Sequence, residues 1–238
     1  MDLDFYKQER FNFEKEISRR GINKLIHFTS ADNLLPVVLL KKISSREHID
    51  KIHEECKDPV VLNFFKFHDK LRLDNKKDYV SLSIEFPNSF MFKKKREEEG
   101  GIWCVIEISP RLLLLGDTLF SIYNAASNFS INKEIGPTFK HFSALFLDKI
   151  KVTRFYGDKL FTRDGLKDSY PTTDQAEVLV KDRVLYDDFL NICFRSQEDL
   201  GIIKKRMKKV IYLKRGRGPY IDLKKFSVHP EYWQQKRK

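Results

Sequence analysis

A histidine at position 27, a serine pair at 81 and 83, and a Gln-x-Glu at 175 and 177 are the residues of this 238-residue chain whose types could do chemistry together. An imidazole can hold a hydroxyl, serines can orient a polar ring, and a carboxylate can steady growing positive charge or take up a proton. Taken singly, each has an ordinary explanation: a hydrogen-bonded core histidine, the polar face of a strand, a solvent-facing glutamate in an alternating strand. A second group lies at the C-terminal end. The net charge is +11, and residues 203–238 hold 13 of the 45 basic residues with only two acids, so the first 202 positions balance. There, Lys204, Lys205, Arg206, Lys208 and Lys209 lead into Lys214, Arg215 and Arg217, with Tyr212, Tyr220, Phe226, Tyr232 and Trp233 interleaved. Cations that displace counterions from phosphates, beside rings that stack on bases, suit a single-strand binder. A solvated, solubilising tail explains the charge equally well, and the rings can equally pack the segment onto the core.

Composition removes other classes. With 41% hydrophobic residues and 20 Phe the chain can bury a core, so one folded domain is expected, and ten Gly and eight Pro are too few for low complexity. The longest apolar run, Leu34 to Leu40, contains Pro36 and falls far short of the ~20 residues of a membrane helix. The acidic, polar start at Met1-Asp2-Leu3-Asp4 is unlike a secretory leader, so the expected location is the cytoplasm, away from membranes. Cys56, Cys104 and Cys193 are odd in number and far apart, which argues for reduced structural thiols. His48, His53 and Cys56 cluster loosely but match no common zinc spacing, and no metal is expected.

The elements that must position the candidates follow from periodicity and caps. Phe5 to Arg20 reads as a helix stopped by Gly21, and Lys24 to Phe28 as a buried strand carrying His27. Thr29 to Asp32 offers caps for a helix through Leu34, Leu35, Val38 and Leu39, with Pro36 in its first turn. Residues 45–77 read as helical and irregular, and Tyr79 to Ile84 as a strand with its serines on one face. Asn88 can cap a helix that ends at Glu97-Glu98-Glu99, and Ile102 to Ile108 follows as a buried strand. A strand around Leu119 to Tyr123 leads into Asn124-Ala-Ala-Ser127, and Thr138 to Leu147 is helical. A polar stretch with Gly157, Gly165 and Pro171 precedes a strand from Gln175 to Val180, and Ser196 with Asp199 starts a helix into the basic segment. No repeat or linker divides the chain, so residues 1–202 form the expected domain and 203–238 a basic C-terminal extension packed on it.

A histidine on the first strand, a Ser-x-Ser strand and a late Gln-x-Glu strand, in that order, resemble the three-part signature of ADP-ribosyltransferases. The stretches Leu25 to Leu34, Tyr79 to Asn88, Asn124 to Ser127 and Tyr170 to Val180 are similar to successive motifs of the DarT family, over roughly residues 22–185. That resemblance implies a bacterial toxin that uses NAD to ADP-ribosylate a base in single-stranded DNA and is neutralised by a macrodomain antitoxin, DarG. It implies an α+β, ADP-ribosyltransferase-like fold with two small packed, mostly antiparallel sheets clasping NAD, surrounded by helices, in a monomer.

The resemblance also assigns roles. Glu177 is the expected catalytic carboxylate on the nicotinamide ribose; breaking the nicotinamide–ribose bond passes through an oxocarbenium-like sugar that a carboxylate stabilises. His27 is expected on the adenine-side ribose, with Thr29 and Asn33 beside it and Ser81 and Ser83 on the nicotinamide side. Arg72 is the candidate cation facing the pyrophosphate, with Arg46 its rival. Gln175 is the residue expected at the accepting base, and Lys204, Lys205, Arg206, Lys208 and Lys209 are those expected to guide the strand. Thymidine-modifying members carry an arginine six residues before the catalytic glutamate; here that position is Pro171 and the nearest upstream arginine is Arg163, which favours guanosine. A single strand lowers the cost of unstacking the base. Two other readings stand beside this one: a related transferase acting on protein or RNA, and a non-catalytic nucleic-acid-binding module.

Overall fold

The structure, a computed structural model, describes residues 3–55, 76–125, 135–154, 157–213 and 222–234. Helix α1 (Leu3–Arg20) ends at Gly21 in a left-handed turn and is followed by β1 (Leu25–Ser30), α2 (Ala31–Leu39), β2 (Lys42–Ser44) and α3 (Arg46–Glu55). Next come β3 (Tyr79–Ile84), α4 (Ser89–Glu99), β4 (Trp103–Ile108), β5 (Leu119–Ser121) and α5 (Phe139–Ala144). The chain then forms β6 (Lys149–Arg154), β7 (Gly157–Thr162), β8 (Glu177–Lys181), β9 (Arg183–Leu185) and β10 (Phe189–Phe194), and closes with α6 (Gln197–Leu213) and β11 (Phe226–Val228). Two caps act as their residue types require: Asn88 accepts from the Met91 amide at 3.1 Å, and Ser196 from the Asp199 amide at 3.1 Å.

The two small sheets expected from the sequence are instead one seven-stranded sheet in the order β11-β10-β4-β1-β3-β8-β5, with separate ribbons β2-β9 and β6-β7. Its ladders are antiparallel except for β10 with β11. The physical reason for the difference is a narrow join. β1 pairs with β4 along its whole length, from Leu25↔Ile108 to Ser30↔Trp103, but meets β3 only at Leu25↔Ile84 and Ile26↔Ser83. Those two pairs stitch the half built on β4 and β1 to the half built on β3, β8 and β5, and beyond them the strands part.

Alternation along β1 sends Leu25 and Ile26 into different cores. Leu25 packs with Leu34, Leu82, Ile106, Phe120, Phe142 and Val178. On the other face Ile26 packs with Phe86, Phe92, Trp103, Val105, Tyr170 and Tyr232. Pro36 lies in the interior of α2 rather than its first turn. The nine-residue helix tolerates it because Leu34, Pro36 and Val38 are buried against the sheet, and packing outweighs the lost amide bond.

The basic segment begins inside α6, whose Leu200, Ile203 and Met207 are buried, and continues to β11 at the edge of the sheet. A short turn at Pro230–Trp233 then lays Tyr232 over Glu107 and Trp233 against Phe92 at 5.4 Å. Among the described residues no helix is long and apolar enough to cross a membrane, and no cluster of His, Cys, Asp and Glu could hold a metal ion.

Candidate active site

His27 is the first residue of β1 past the join with β3. Its ring enters the widening gap, where Nδ1 lies 3.2 Å from the Ser81 carbonyl. A carbonyl only accepts, so Nδ1 carries the proton and Nε2 keeps its lone pair. Burial pushes the imidazole below its ordinary value of 6.5, against the opposing pull of the Ser81 carbonyl. The ring is therefore a neutral acceptor at neutral pH, suited to a hydroxyl rather than to a phosphate.

β3 carries the serines onward. Ser83 is buried and Ser81 half-buried, and they share a face. Ser81 stands opposite Leu179 of β8, so Glu177, two residues along, is a diagonal neighbour about 7–8 Å away. Glu177 is half-buried at the first position of β8, opposite Ser121 of β5. Its Oε2 accepts the Ala125 amide at 2.9 Å. That bond ties the carboxylate to the Asn124-Ala125 loop and limits its rotamers. His27, Ser81, Ser83 and Glu177 thus stand on three neighbouring strands around the point where the sheet opens.

Thr29 is two residues beyond His27, about 7 Å along β1, and is buried; Asn33 follows in the first turn of α2. Arg46 starts α3 at the other end of β8. The Ser45 amide donates to the Asp182 carbonyl, some five residues and about 17 Å along from Glu177. The Arg46 guanidinium also pairs with Asp50 at 3.0 Å. Arg72 lies outside the described residues. Gln175 sits in a turn before β8 rather than on the strand expected from Gln175 to Val180, because β8 begins at Glu177. On α6, Lys205, Arg206 and Lys208 are exposed and Lys204 half-buried, while the side chain of Lys209 lies outside the described residues. Arg206 pairs at 3.2 Å with Asp32, the neighbour of Asn33, which brings the middle of α6 beside the first turn of α2. Cys104 and Cys193 are buried and burial pushes both thiols up, so neither supplies a thiolate.

Sequence reasoning missed the segment that holds Glu177 from upstream. Arg163 donates to the carbonyls of Lys167 (3.0 Å), Asp168 (3.3 Å) and Tyr170 (2.7 Å) and to the Thr172 hydroxyl (3.4 Å). Thr172 in turn donates to the Leu147 carbonyl at 2.6 Å, and Thr173 to that of Ile122. Both threonines are buried. Backbone acceptors leave no mark in a sequence, and only the run Pro171-Thr-Thr-Asp174 hinted at a built turn. The β6-β7 ribbon packs Ile150, Val152 and Phe161 around Tyr123, next to the Asn124-Ala125 loop, and so supports Glu177 from a second side.

With this geometry in view, comparison with known proteins is specific. A family model described as DarT, ssDNA thymidine ADP-ribosyltransferase, matches residues 26–232. The structure of Thermus sp. 2.9 DarT in complex with NAD+ aligns with a TM-score of 0.54 at 13% identity, covering 89% of this chain and 98% of that one. Thermus sp. 2.9 DarT in complex with ADP-ribosylated ssDNA aligns with a TM-score of 0.52 at 14% identity, covering 90% and 97%. At such identity these two likenesses carry the fold alone. No curated protein sequence matches this chain.

Proposed function

This chain belongs to the DarT family of NAD-dependent single-stranded-DNA ADP-ribosyltransferases, and on that premise we propose that it transfers ADP-ribose from NAD to a guanine base and releases nicotinamide. The observation that carries the reading is the His27–Ser81 hydrogen bond at the parting of β1 and β3, with Glu177 a diagonal step away on β8. Nε2 of His27 accepts a hydroxyl of the adenine-side ribose, with Thr29 and Asn33 completing that end. Ser81 and Ser83 line the nicotinamide side. Glu177 takes the 2′-hydroxyl of the nicotinamide ribose.

The chemistry follows from charge. As the bond from the ribose C1′ to nicotinamide breaks, its electron pair leaves with nicotinamide and positive charge grows on the sugar. The Glu177 carboxylate favours that state over the ground state. A nitrogen of the base forms the new bond to C1′ and gives up its proton, for which Glu177 is the nearest candidate base. The guanine preference is supported by Pro171, which stands where thymidine-modifying relatives carry an arginine, and by the full engagement of Arg163 in its own loop. The cations of α6 guide the strand toward the α2 terminus, and a macrodomain antitoxin of the DarG type is the partner the family implies.

Incubation with NAD and single-stranded oligonucleotides, followed by mass spectrometry of the nucleosides, is expected to yield an ADP-ribosyl-guanosine and an equal amount of nicotinamide. A thymidine adduct instead would move the chain to the other branch, and labelling of RNA or protein alone would favour the rival transferases. The neutral imidazole gives a second expected outcome. His27→Ala should weaken NAD binding about tenfold, the worth of one hydrogen bond. In the unaltered protein NAD affinity should stay flat from pH 8 to 6.5 and fall only below, since the folded pKa lies under 6.5. The same shift means that the unfolded chain binds the proton first, so this group's contribution to stability declines as pH falls below 6.5. Calorimetric titration with NAD across that range checks it, and an affinity already falling from pH 7.5 to 6.5 would show a charged ring.

A further inference from the structure

We infer that Arg20 is a positioning residue for the reaction: from the end of α1 it fixes the segment 163–172 that leads into Glu177, which makes α1 a buttress of the active site. The inference rests on the reading of Glu177 above. α1 lies ahead of the family-matched residues 26–232, so the family pattern assigns it no role. It is riveted to α5 at two points. Along its length, Phe13 packs on Phe139 and Phe142 at 5.5 and 5.2 Å, and Glu9 accepts the Phe139 amide at 2.8 Å. At its end, the Arg20 side chain is 12% exposed, and its guanidinium lies 4.1 Å from the centre of the Phe146 ring, just past α5.

There Arg20 makes three contacts at once. Nε donates to Glu16 at 2.6 Å, the guanidinium covers Phe146, and Nη1 donates at 3.2 Å to the Asp168 carbonyl, 148 residues along the chain. Arg163 comes to the same place from the loop side, 5.7 Å from the same ring and 3.3 Å from the same carbonyl. Two guanidiniums drawn to one ring and one carbonyl repel each other. Glu16 answers that charge, and the hydrogen bond from Arg19, with the charge of Arg20, pulls its carboxyl down to about 2. An aliphatic side chain would cover Phe146 equally well, but only a planar group with several donors covers the ring and also holds a remote carbonyl. The ring marks where the loop docks. On one side of Phe146 the Leu145 carbonyl accepts the Thr172 amide at 2.8 Å, and on the other the Leu147 carbonyl accepts the Thr172 hydroxyl at 2.6 Å. Thr173 then donates to the Ile122 carbonyl, and Glu177, four residues on, accepts the Ala125 amide. A shift of Phe146 or of the Asp168 carbonyl is passed along this short run of tied residues to the carboxylate, where a misplacement of about 1 Å costs on the order of 100-fold in rate.

The test uses the full chain, NAD and a single-stranded oligonucleotide containing dG and dT, assayed well below the unfolding temperature of each variant. Arg20→Ala should lower kcat for transfer by about 10- to 100-fold and leave the KM for NAD unchanged, because the residues assigned to NAD lie on β1, α2 and β3, outside the tied run. Arg20→Lys keeps a cation beside Glu16 but has neither the flat face nor the forked donors. It should hold Tm within a few degrees and still lose kcat, and it carries the test if the alanine variant does not fold. Because Arg20 and Arg163 act on one segment, Arg20→Ala combined with Arg163→Ala should cost less in kcat than the product of the two single losses. A lysine variant with the original kcat would overturn the inference. So would a lowered Tm beside an unchanged kcat, a loss seen only as a higher KM for NAD, or single losses that multiply. Failure of the Glu177 reading is a separate result, transfer by Glu177→Gln within tenfold of the original rate, whatever the Arg20 variants do.

Discussion

Glu177→Gln is expected to lower ADP-ribose transfer by about 100- to 1,000-fold, the cost of losing a preorganised charge at the reacting centre. The amide keeps the shape of the side chain and an oxygen that can accept the Ala125 amide, now bonded at 2.9 Å. What it loses is the negative charge that favours the electron-poor sugar and the capacity to take a proton from the base. NAD binding and Tm should therefore stay close to those of the unaltered protein. Glu177→Ala separates a second contribution, because it also strips the Ala125 amide of its acceptor at a buried position. It should match or exceed the rate loss of the amide variant and add a destabilisation of about 1–3 kcal/mol. Nicotinamide release and adduct formation, read beside thermal unfolding, distinguish the two variants. Transfer by Glu177→Gln within tenfold of the original rate would reject Glu177 as the catalytic carboxylate.

The strands and caps nearest the site were legible because their signals are local. Tyr79 to Ile84 alternates with a period of two and forms β3 over the same residues, and Asn88 and Ser196 cap the helices their positions announce. Leu25–Ser30 holds the histidine strand within two residues of the expected span. The losses were of two kinds. β6 and β7 escaped because their exposed faces carry lysines and glycine among polar neighbours, so their alternation was submerged in a polar stretch. β10 and β11 escaped because a run such as Phe189–Phe194 acquires its strand character from its neighbour β4, far away in sequence. For the site, residue types pointed to His27 and Glu177 but not to what orients them. The Ser81 carbonyl, the Ala125 amide and the carbonyls gripped by Arg163 are backbone groups, identical at every position in a sequence.

Glu107→Ala is expected to destabilise the fold by about 3 kcal/mol, the lower end of the cost of breaking a buried ion pair. Glu107 is 8% exposed on β4, opposite Ile26 of β1. Its Oε1 accepts from the Lys24 ammonium at 2.7 Å and from the Tyr232 hydroxyl. The figure sits at the lower end because the Lys24 side chain is 28% exposed and can regain water, whereas the buried Tyr232 hydroxyl cannot. Burial alone would raise the Glu107 pKa, but its hydrogen bonds from Lys24 and Tyr232 outweigh that and hold it below 4.5. Its contribution is therefore present above pH 4.5 and is lost as pH falls through the lower folded value. Tyr232 is shifted the other way, by burial first and then by Glu107, so its share is present below pH 10 and is lost as the unfolded chain ionises above it. Urea unfolding of the two proteins should differ most between these limits and converge at acid pH. A difference under about 0.5 kcal/mol at pH 7 would show that the cluster does not hold the sheet. Because Lys24 leads directly into β1, the same variant should raise the KM for NAD. The C-terminal turn at Tyr232, through one carboxylate, then restrains the strand that carries His27.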